Sequence, residues 1–319
     1  GEPVLSHTPI VLIADPLAPE AEQALGEAVE IRRVAGTRRP DLLQAVRDAD
    51  ALIVRSATTV DREVIDAAER LRVIGRAGVG IDNIDVDAAA ARGITVANTP
   101  TANIHSACEH AIALLLAAAR AIPAANASTH AGGWERSRFQ GTEIYGKTVG
   151  VVGFGRVGRL VAERLSAFGT RVLAFDPYPD HAAAEGLGVE LVDLDALVAR
   201  SDFVSIHVPK TPETQSLFDE RLLRSAKPGQ ILVNTSRGGV VDEAALAAVL
   251  QDGPVAAAGI DVFTTEPPQD SPLLGLDNAV LTPHLGAQTR EAQARAGVDV
   301  AHAVLAALRG ETVPGAIRG

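Results

Sequence analysis

The sequence contains a single cysteine, Cys108, among its 319 residues. One cysteine excludes an internal disulfide and is typical of proteins kept in a reducing compartment. Because Cys108 lies in an apolar segment, we interpret it as a small core residue and not as a nucleophile. The cysteine content therefore favours a cytoplasmic location.

Long hydrophobic runs are also lacking. The longest candidate, 111–119, has nine apolar residues between His110 and Arg120, whereas a membrane-spanning helix needs about 20. The short, acidic, proline-containing N-terminus lacks the basic and apolar regions of a signal peptide. We therefore predict no membrane partner, and a buried helix over the apolar run.

Positive charge is in deficit, since the formal net charge is −11 at pH 7. This balance argues against a general surface for nucleic acids or anionic membranes, and no nucleic-acid partner is predicted. An anionic ligand would need a local cluster of cations, for which the chain offers 26 arginines and only three lysines. No metal site is predicted.

The chain does contain a regular alternation of strand-like and helix-like segments. Over the first hundred residues, apolar runs such as 10–14, 51–54 and 71–75 are separated by amphipathic segments. This alternation is typical of a parallel sheet with helices on both faces, so these residues are predicted to form an α/β domain. It resumes at Thr148, with predicted strands at 203–207, 231–234, 255–261 and 279–282 and a final helix over 289–309.

The segment between these two regions has a different character. Ser106 and Glu109 have capping-box spacing before a long apolar helix, predicted to end before Pro123 and to be buried on nearly every side. The next segment, 131–148, carries the only tryptophan, Trp134, outside any periodic pattern. Trp134 belongs either to a local core or to an exposed arm that contacts a second subunit.

A glycine-rich turn is the most informative motif. Gly153, Gly155 and Gly158 follow an apolar run with G-x-G-x-x-G spacing, and Asp176 ends the next run 18 residues after Gly158. Strand, turn, helix, strand and carboxylate in this order form the dinucleotide-binding fingerprint, in which backbone N–H groups approach a pyrophosphate. Because Asp176 can accept hydrogen bonds from a ribose and would repel a 2′-phosphate, the predicted cofactor is NAD.

Charged side chains follow the predicted strands. Ligands of open α/β sheets bind beyond the carboxyl ends of the strands. The residues at or just beyond those ends are Arg55, Arg76, Asp176, His207, Arg237, Asp261, Glu266 and His284. Although each alone could be structural, their common location predicts a shared site.

Three of these residues match the chemistry of a 2-hydroxy acid. Loss of a hydride from C2 requires removal of the hydroxyl proton, which suits a histidine with a pKa near working pH. A carboxylate fixes the tautomer of that histidine, and a guanidinium binds the substrate carboxylate as a fork. We therefore predict His284 as acid/base, Glu266 as its orienting partner and Arg237 as the substrate clamp. His207 is interpreted as a residue that supports the site from behind or lies on the cofactor side.

These residues resemble the D-isomer-specific 2-hydroxyacid dehydrogenases, and the resemblance covers nearly the whole chain. Its blocks are Val54 to Thr58, Gly75 to Asn83, Asn234 to Glu243, Asp261 to Pro268 and Pro283 to Ala287. The resemblance implies that Arg237, Glu266 and His284 are catalytic. It also implies a two-domain α/β fold, in which a Rossmann NAD-binding domain (101–289) is inserted into a flavodoxin-like substrate domain (1–100 and 290–319).

The resemblance also assigns the remaining site residues and the reaction. The implied cofactor-binding residues are Gly153, Gly155, Arg156, Val157, Gly158, Asp176, His207, Val208, Pro209, Thr235, Ser236, Asp261, Gly286 and Ala287. The implied substrate-binding residues are Arg55, Ser56, Arg76, Val79, Gly80 and Arg136, the last reaching a phosphate across a dimer interface. The expected protein is a dimer-based homo-oligomer that oxidises D-3-phosphoglycerate with NAD in serine biosynthesis.

Two other functions stay open at this point. A set of arginines would accept any anionic 2-hydroxy or 2-keto acid, such as a phosphonate analogue. A non-catalytic NAD-binding interaction protein is disfavoured by the intact Arg237, Glu266 and His284. Many relatives that act on phosphoglycerate continue into serine-sensing domains, whereas this sequence ends at Gly319. A short natural form, a trimmed form and a relative recruited to another substrate all fit that ending.

Overall fold

The computed structural model describes residues 7–317, so residues 1–6 and 318–319 of the predicted substrate domain lie outside the described part of the chain. Residues 10–97 alternate short strands and helices, as the sequence predicts. In chain order they are β1 (Ile10–Ile13), α1 (Pro19–Leu25), β2 (Glu30–Arg33), α2 (Arg39–Ala45), β3 (Ala51–Val54), α3 (Arg62–Ala67), β4 (Val73–Arg76), α4 (Val86–Ala91) and β5 (Thr95–Ala97).

The remaining elements begin with two helices and then resume the alternation. They are α5 (Ile104–Ala119), α6 (Ile122–His130), β6 (Thr148–Val152), α7 (Arg156–Ser166), β7 (Arg171–Phe175), α8 (His181–Leu187), β8 (Glu190–Leu191), α9 (Leu194–Arg200), β9 (Phe203–Ile206), α10 (Glu220–Arg224), β10 (Gln230–Asn234), α11 (Glu243–Asp252), β11 (Val255–Ile260), β12 (Ala279–Leu281) and α12 (Arg290–Leu308).

The chain divides into two compact units. Unit 1 combines the residues up to 104 with those from 287 onward, and unit 2 contains 105–286. Each unit has its own parallel sheet and its own apolar core. Unit 2 is therefore an insertion in the sequence of unit 1, and the predicted two-domain α/β fold class is confirmed.

Unit 1 contains a five-stranded sheet in the order β2-β1-β3-β4-β5, with every pair parallel. This is the flavodoxin-like order of doubly wound sheets. All four residues of β1 and of β3 are buried. Strands covered on both faces read as continuous apolar runs, which is why the sequence pattern identified them.

The last helix, α12, completes unit 1 by packing on α1 and β4. Its buried residues include Val300 and Val304. Gly75 in β4 leaves room for Val300, because a Cβ on residue 75 would lie 2.6 Å from the Val300 Cγ2 atom. A Cβ on Gly297 would lie 2.9 Å from the Ala21 Cβ of α1. Helix and sheet therefore approach through positions that lack a side chain.

Unit 2 contains a seven-stranded parallel sheet in the order β12-β11-β10-β9-β6-β7-β8. Counted along the unit, its first six strands have the Rossmann order, and β12 extends one edge. The order reverses between β6 and β9, which are neighbours in the sheet. Ligands of such sheets bind outside the carboxyl ends of the strands at this reversal.

The segment before unit 2's first strand differs from the prediction. Helix α5 begins at Ile104, so Ser106 lies inside the helix and is buried, and it is not the predicted cap. The expected burial of α5 on nearly every side is also only partial, because Ala113 is exposed. Helix α6 is an additional element that the sequence pattern did not predict, and it follows Ala121, whose φ of 51° interrupts the helical path.

Two predictions about single side chains have clear outcomes. Cys108 is fully buried in the core of unit 2, and burial raises the pKa of its thiol to about 11. Such a thiol is a poor nucleophile, as predicted. Trp134 is 80% exposed, so the local-core alternative is wrong.

Among residues 7–317, no helix on its own has the length and apolar composition needed to cross a membrane. Helices α5 and α6 meet those criteria only when taken together, and they are bent by 62° relative to each other. Leu114 and Leu115 of α5 are buried in the core of unit 2.

Gly297→Leu is expected to destabilise the chain by about 1–3 kcal/mol, because the new side chain overlaps Ala21 at the contact between α1 and α12. Urea unfolding measures the change. Asp299→Leu is the matched control, since Asp299 is exposed on the same helix, and we expect it to remain within about 0.5 kcal/mol of the parent. Equal stability of the two variants would contradict the close packing described here.

Candidate active site

The predicted site residues of unit 2 gather at one edge of its sheet. Gly153, Asp176 and His207 follow β6, β7 and β9, and Arg237, Asp261 and His284 lie beyond β10, β11 and β12. Because all seven strands are parallel, these carboxyl ends meet at the same edge. The structure therefore brings the cofactor motif and the predicted catalytic groups to one side of the sheet.

Two glycines of the turn after β6 are required by the packing of the protein itself. Gly153 has a φ of 92°, and a Cβ on it would lie 2.1 Å from the His207 carbonyl oxygen. A Cβ on Gly158 would lie 2.0 Å from the Gly153 carbonyl oxygen. Any larger residue at either position would push helix α7 or the β9 loop away from the turn.

Gly155 is different, because nothing in the protein requires a glycine there. Its φ of −87° is open to any residue, and a Cβ on it would meet no atom within 4 Å. Gly155 caps the N-terminus of α7, where Arg156 and Val157 begin the first turn. The N–H groups of a first turn and the helix dipole favour an anion. The open space in front of this turn fits the pyrophosphate of a dinucleotide.

Asp176 is fixed at the end of β7 by two backbone donors. Phe154 N–H donates to Oδ2 at 2.8 Å, and Tyr178 N–H donates to Oδ1 at 2.9 Å. Each carboxylate oxygen has a second lone pair. Asp176 is thus held beside the glycine turn with acceptor capacity left, which is what a ribose diol requires.

His207 is partly buried beside the same turn. The Ser205 hydroxyl lies 2.7 Å from its Nε2 atom, and burial lowers the pKa of the imidazole to about 4. His207 is therefore uncharged at neutral pH and is poorly suited to proton transfer there. Its neighbours Val208 and Pro209 are buried and exposed, respectively.

Arg237 lies in a loop that Asn234 organises. Asn234 is 2% exposed at the end of β10, and its Oδ1 accepts hydrogen bonds from Ser236 N–H and Oγ at 3.0 and 2.8 Å. Its Nδ2 donates to the Arg237 carbonyl oxygen at 3.1 Å. Thr235 and Ser236, predicted to bind the cofactor, are partly exposed in this loop. One buried amide thus sets the path of the segment that presents the guanidinium.

His284 and Glu266 form a direct pair. The Nδ1 atom of His284 lies 2.8 Å from Glu266 Oε2. A carboxylate only accepts, so Nδ1 carries the proton and Nε2 is left as the ring atom that can exchange a proton with a ligand. Glu266 is held in turn by Phe263 N–H, which donates to Oε1 at 3.1 Å.

The surroundings of this pair shift the pKa values of both side chains. The hydrogen bond that His284 donates to Glu266 raises the pKa of His284 above its ordinary value, although burial and the nearby Arg237 guanidinium lower it. Burial alone would raise the pKa of Glu266, but its hydrogen bonds with His284 and Phe263 hold that pKa below the ordinary value. Glu266 is therefore ionised at neutral pH, and His284 titrates at a higher pH than a free imidazole.

The loop that carries His284 is built on the fully buried carboxylate of Asp261. Thr282 Oγ1 and Leu285 N–H donate to Oδ1 at 2.6 and 2.7 Å, and Gly286 N–H donates to Oδ2 at 3.0 Å. Burial would raise the pKa of Asp261, but hydrogen bonds from His110, Thr282 and Leu285 hold that pKa below its ordinary value. Contact between Asp261 and a cofactor stays a prediction.

Two residues that the sequence did not identify also shape the site. His110 of α5 reaches Asp261 Oδ1 and Thr282 Oγ1 at 3.2 and 3.0 Å. Glu243, the first residue of α11, accepts hydrogen bonds from Thr264 N–H at 2.7 Å and from the Ser271 hydroxyl at 2.5 Å, and so holds the loop that contains Glu266. Nothing in the sequence spacing marks either contact.

In unit 1, Arg55 follows β3 in a loop fixed by two side chains. Asp15 is 5% exposed, and it accepts hydrogen bonds from Arg55 N–H and the Thr58 hydroxyl, each at 2.7 Å. Asn83 donates to the carbonyl oxygens of both Arg55 and Thr58 at 2.7 Å. The Arg55 side chain itself donates to Gln288 Oε1 at 3.2 Å.

The other predicted substrate residues of unit 1 lie nearby. Arg76 ends β4, the neighbour of β3, and its Nη1 donates to the carbonyl oxygen of residue 77 at 2.7 Å. Val79 is 38% exposed, and its carbonyl oxygen accepts a hydrogen bond from Asn98 at 2.8 Å. Ser56 is exposed and Gly80 partly so.

Two further predicted residues, Ala287 and Arg136, belong to different units. Ala287, the first residue of the C-terminal part of unit 1, accepts a hydrogen bond from Gln293 Nε2 at 2.9 Å. Arg136 is exposed near Trp134 in the segment after α6, which the structure places in unit 2. The predicted role of Arg136 across a dimer interface stays a prediction.

The chain is similar to known proteins along nearly its whole length. The sequence profile of the D-isomer specific 2-hydroxyacid dehydrogenases, NAD binding domain, matches residues 112–286. D-3-phosphoglycerate dehydrogenase of Mycobacterium tuberculosis is 62% identical over 97% of this chain and 58% of that protein. The chain thus spans less than two thirds of the length of that relative.

Solved structures show the same fold. The TT0316 protein from Thermus thermophilus is 36% identical and superimposes with a TM-score of 0.90 over 97% of this chain and 100% of that one. D-lactate dehydrogenase from Aquifex aeolicus, solved with NAD and lactic acid, is 27% identical with a TM-score of 0.84 over 95% of this chain and 96% of that one.

Gly155→Ala is expected to weaken NAD binding by about tenfold or more without lowering the melting temperature, because its Cβ meets no protein atom but enters the space proposed for the pyrophosphate. Isothermal titration calorimetry and thermal unfolding measure the two effects. Gly186→Ala is the control, since Gly186 in α8 also has open space around it. Equal NAD affinity for the two variants would remove the argument for an anion at this turn.

Glu266→Gln is expected to lower the pKa of His284 towards its ordinary value of 6.5, because the hydrogen-bonded anion is the main cause of the increase. NMR titration of the imidazole protons reports this pKa without substrate, and His284→Asn identifies the signal. Glu220→Gln, an exposed change on α10, is the control. An unchanged His284 titration in Glu266→Gln would show that the pair is not formed in solution.

Proposed function

The chain belongs to the D-isomer specific 2-hydroxyacid dehydrogenase family, and we propose that it oxidises D-3-phosphoglycerate to 3-phosphohydroxypyruvate with NAD⁺, in serine biosynthesis. The observation that carries the proposal is the His284–Glu266 pair, 2.8 Å apart, beside Arg237 at the carboxyl edge of the Rossmann sheet. The substrate is taken from the name of the 62% identical relative.

Proton transfer is assigned to His284. Its Nε2 atom, free of the Glu266 contact, accepts the proton of the C2 hydroxyl while the electron pair of the C2–H bond leaves as hydride and C2–O becomes a carbonyl. NAD⁺, when bound, is the acceptor of that hydride. Glu266 keeps Nδ1 protonated and stabilises the imidazolium that forms, as the carboxylate of a catalytic triad does.

Arg237 is assigned to the substrate anion. A guanidinium presents a planar fork of donors that matches a carboxylate and can also polarise the C2 oxygen. The Arg237 charge lies close enough to His284 to oppose the rise in its pKa. The same side chain thereby favours release of the proton from His284 after turnover.

Three other arginines, Arg55, Arg76 and Arg136, are assigned to the phosphate and carboxylate of the substrate. We extend the proposal to Arg55, Ser56, Arg76 and the backbone of Val79 and Gly80 in unit 1, which is the substrate domain in this assignment, and to Arg136 from a second subunit. A dimer would also cover Trp134, which is 80% exposed. A single buried cysteine supports a cytoplasmic location.

The direction of the pH dependence follows from His284. Oxidation requires the neutral imidazole, so kcat/KM for the hydroxy acid should rise as pH increases through the raised pKa of His284. Reduction of the keto acid requires the imidazolium and should be lost over the same interval.

Steady-state kinetics with a panel of D-2-hydroxy acids tests the proposed function. We expect kcat/KM for D-3-phosphoglycerate to exceed that for D-lactate and D-glycerate by about 100-fold or more, because the arginines would lose their distal anion with the smaller acids. A phosphonate analogue belongs in the panel. If phosphoglycerate is turned over no better than lactate or glycerate, the substrate assignment is wrong.

The inactive control for these assays is the variant His284→Ala, which lacks the proton acceptor. It should bind NAD normally and lose about 10²–10⁴-fold in kcat. Turnover at the parent rate would contradict the role given to His284, whereas loss of NAD binding would show a wider disturbance of the site.

A further inference from the structure

The proposed mechanism gives no role to His110, although this histidine lies near the site. His110 lies on α5, with 19% of its side chain exposed, and its Nε2 atom is within reach of Asp261 Oδ1 and Thr282 Oγ1. These partners lie beyond the ends of β11 and β12. A single imidazole therefore ties a helix to two strand ends of the same unit.

The proton positions in this cluster follow from its donors and acceptors. The Thr282 hydroxyl is 2.6 Å from Asp261 Oδ1, and an ionised carboxylate only accepts, so the hydroxyl proton points to Asp261. The lone pairs of Thr282 Oγ1 remain for the N–H of His110 at 3.0 Å. Nε2 is therefore the protonated ring nitrogen of His110, and its N–H is shared between Thr282 and Asp261.

Asp261 needs these donors because it is fully buried. Burying a charged carboxylate is costly unless hydrogen bonds compensate it. Three donors reach Oδ1: Thr282 Oγ1, Leu285 N–H and His110 Nε2. Two of them belong to the loop that presents His284, and the third comes from α5.

The backbone of His284 depends on this loop. Its φ of 54° is in the left-handed region, which costs a non-glycine residue about 1–2 kcal/mol unless the surroundings fix it. His284 N–H donates to the Asp261 carbonyl oxygen at 2.9 Å. The N–H groups of Leu285 and Gly286 donate to the side-chain carboxylate of Asp261. The direction of the catalytic imidazole is thus set by bonds that converge on Asp261.

We propose that His110 is a positioning residue for catalysis: it keeps the Thr282 hydroxyl directed at Asp261 and thereby holds the loop 282–286 in the conformation that presents His284. It touches neither substrate nor reacting atoms in this assignment. The effect on rate rests on the proposed function, but the effect on the loop does not.

The test compares variants that remove or keep the N–H at Nε2. His110→Leu removes it, whereas His110→Gln retains a donor at the equivalent distance along the side chain. Thr282→Val removes the hydroxyl at nearly constant volume. His105→Leu is the control, since His105 is exposed on the same helix and its Nδ1 atom lies 3.5 Å from Arg164, away from Asp261 and Thr282.

Two measurements are made on each variant. Amide hydrogen exchange of the 282–286 segment reports opening of the loop without substrate, and steady-state kinetics give kcat separately from KM for NAD. We expect His110→Leu to exchange about tenfold faster and to lose about tenfold in kcat. His110→Gln should recover most of both losses.

The double variant His110→Leu/Thr282→Val measures the coupling between His110 and Thr282. If His110 acts through Thr282, the double variant should lose little more than either single variant, so the effects are not additive. A purely structural role would lower the melting temperature while leaving exchange of the loop and kcat at the His105→Leu values, which would overturn the proposal. Fully additive losses would also overturn it.

The same experiment separates this inference from the proposed function. If the parent chain does not oxidise phosphoglycerate, the proposed substrate is wrong, and the exchange data alone decide the role of His110. If the parent is active and His110→Leu changes neither exchange nor kcat, only the role of His110 is wrong.

Discussion

The candidate active site depends on one buried charge, the carboxylate of Asp261. It has no solvent exposure and receives donors from Thr282, Leu285, Gly286 and His110. A carboxylate in such a place stabilises the fold only while its donors stay in position, because an uncompensated buried charge costs several kcal/mol. The loop therefore has few alternative paths, and the left-handed backbone of His284 is maintained. Rigid presentation of an acid/base group is what proton transfer needs, since small displacements reduce rates strongly.

The same device recurs beneath the other functional loops. Asn234 supports the loop of Arg237, Asp15 supports that of Arg55, and Glu243 supports that of Glu266. In each case a short polar or acidic side chain replaces the backbone hydrogen bonds that a loop lacks at the end of a strand. The reactive groups stay accessible while their supports are buried or partly buried. These supports explain how loops at the ends of parallel strands, within each unit, can hold their charged side chains in fixed positions.

Much of the fold was predictable, because both sheets are parallel and their strands are continuous apolar runs separated by amphipathic helices. The glycine spacing likewise predicted the strand–turn–helix of β6 and α7, with Asp176 after β7, and strand ends located Arg237, Asp261 and His284 at one edge of the sheet. The predicted start of α5 was wrong. The capping-box spacing places the helix start at Ser106, whereas packing extends the helix back to Ile104. Helix α6 escaped prediction because its apolar periodicity is weak. His110 could not be identified, because its partners are 151 and 172 residues away in sequence.

The position of α12 has a consequence for synthesis of the chain. This helix buries the apolar face of unit 1 formed by residues such as Val11, Ile53 and Val73, which leave the ribosome long before it does. During translation, residues 105–286 are all synthesised before α12 is available to pack on that face. The inserted unit can therefore complete its own core first, whereas the N-terminal sheet must wait with exposed apolar surface, a state prone to aggregation and recognised by chaperones.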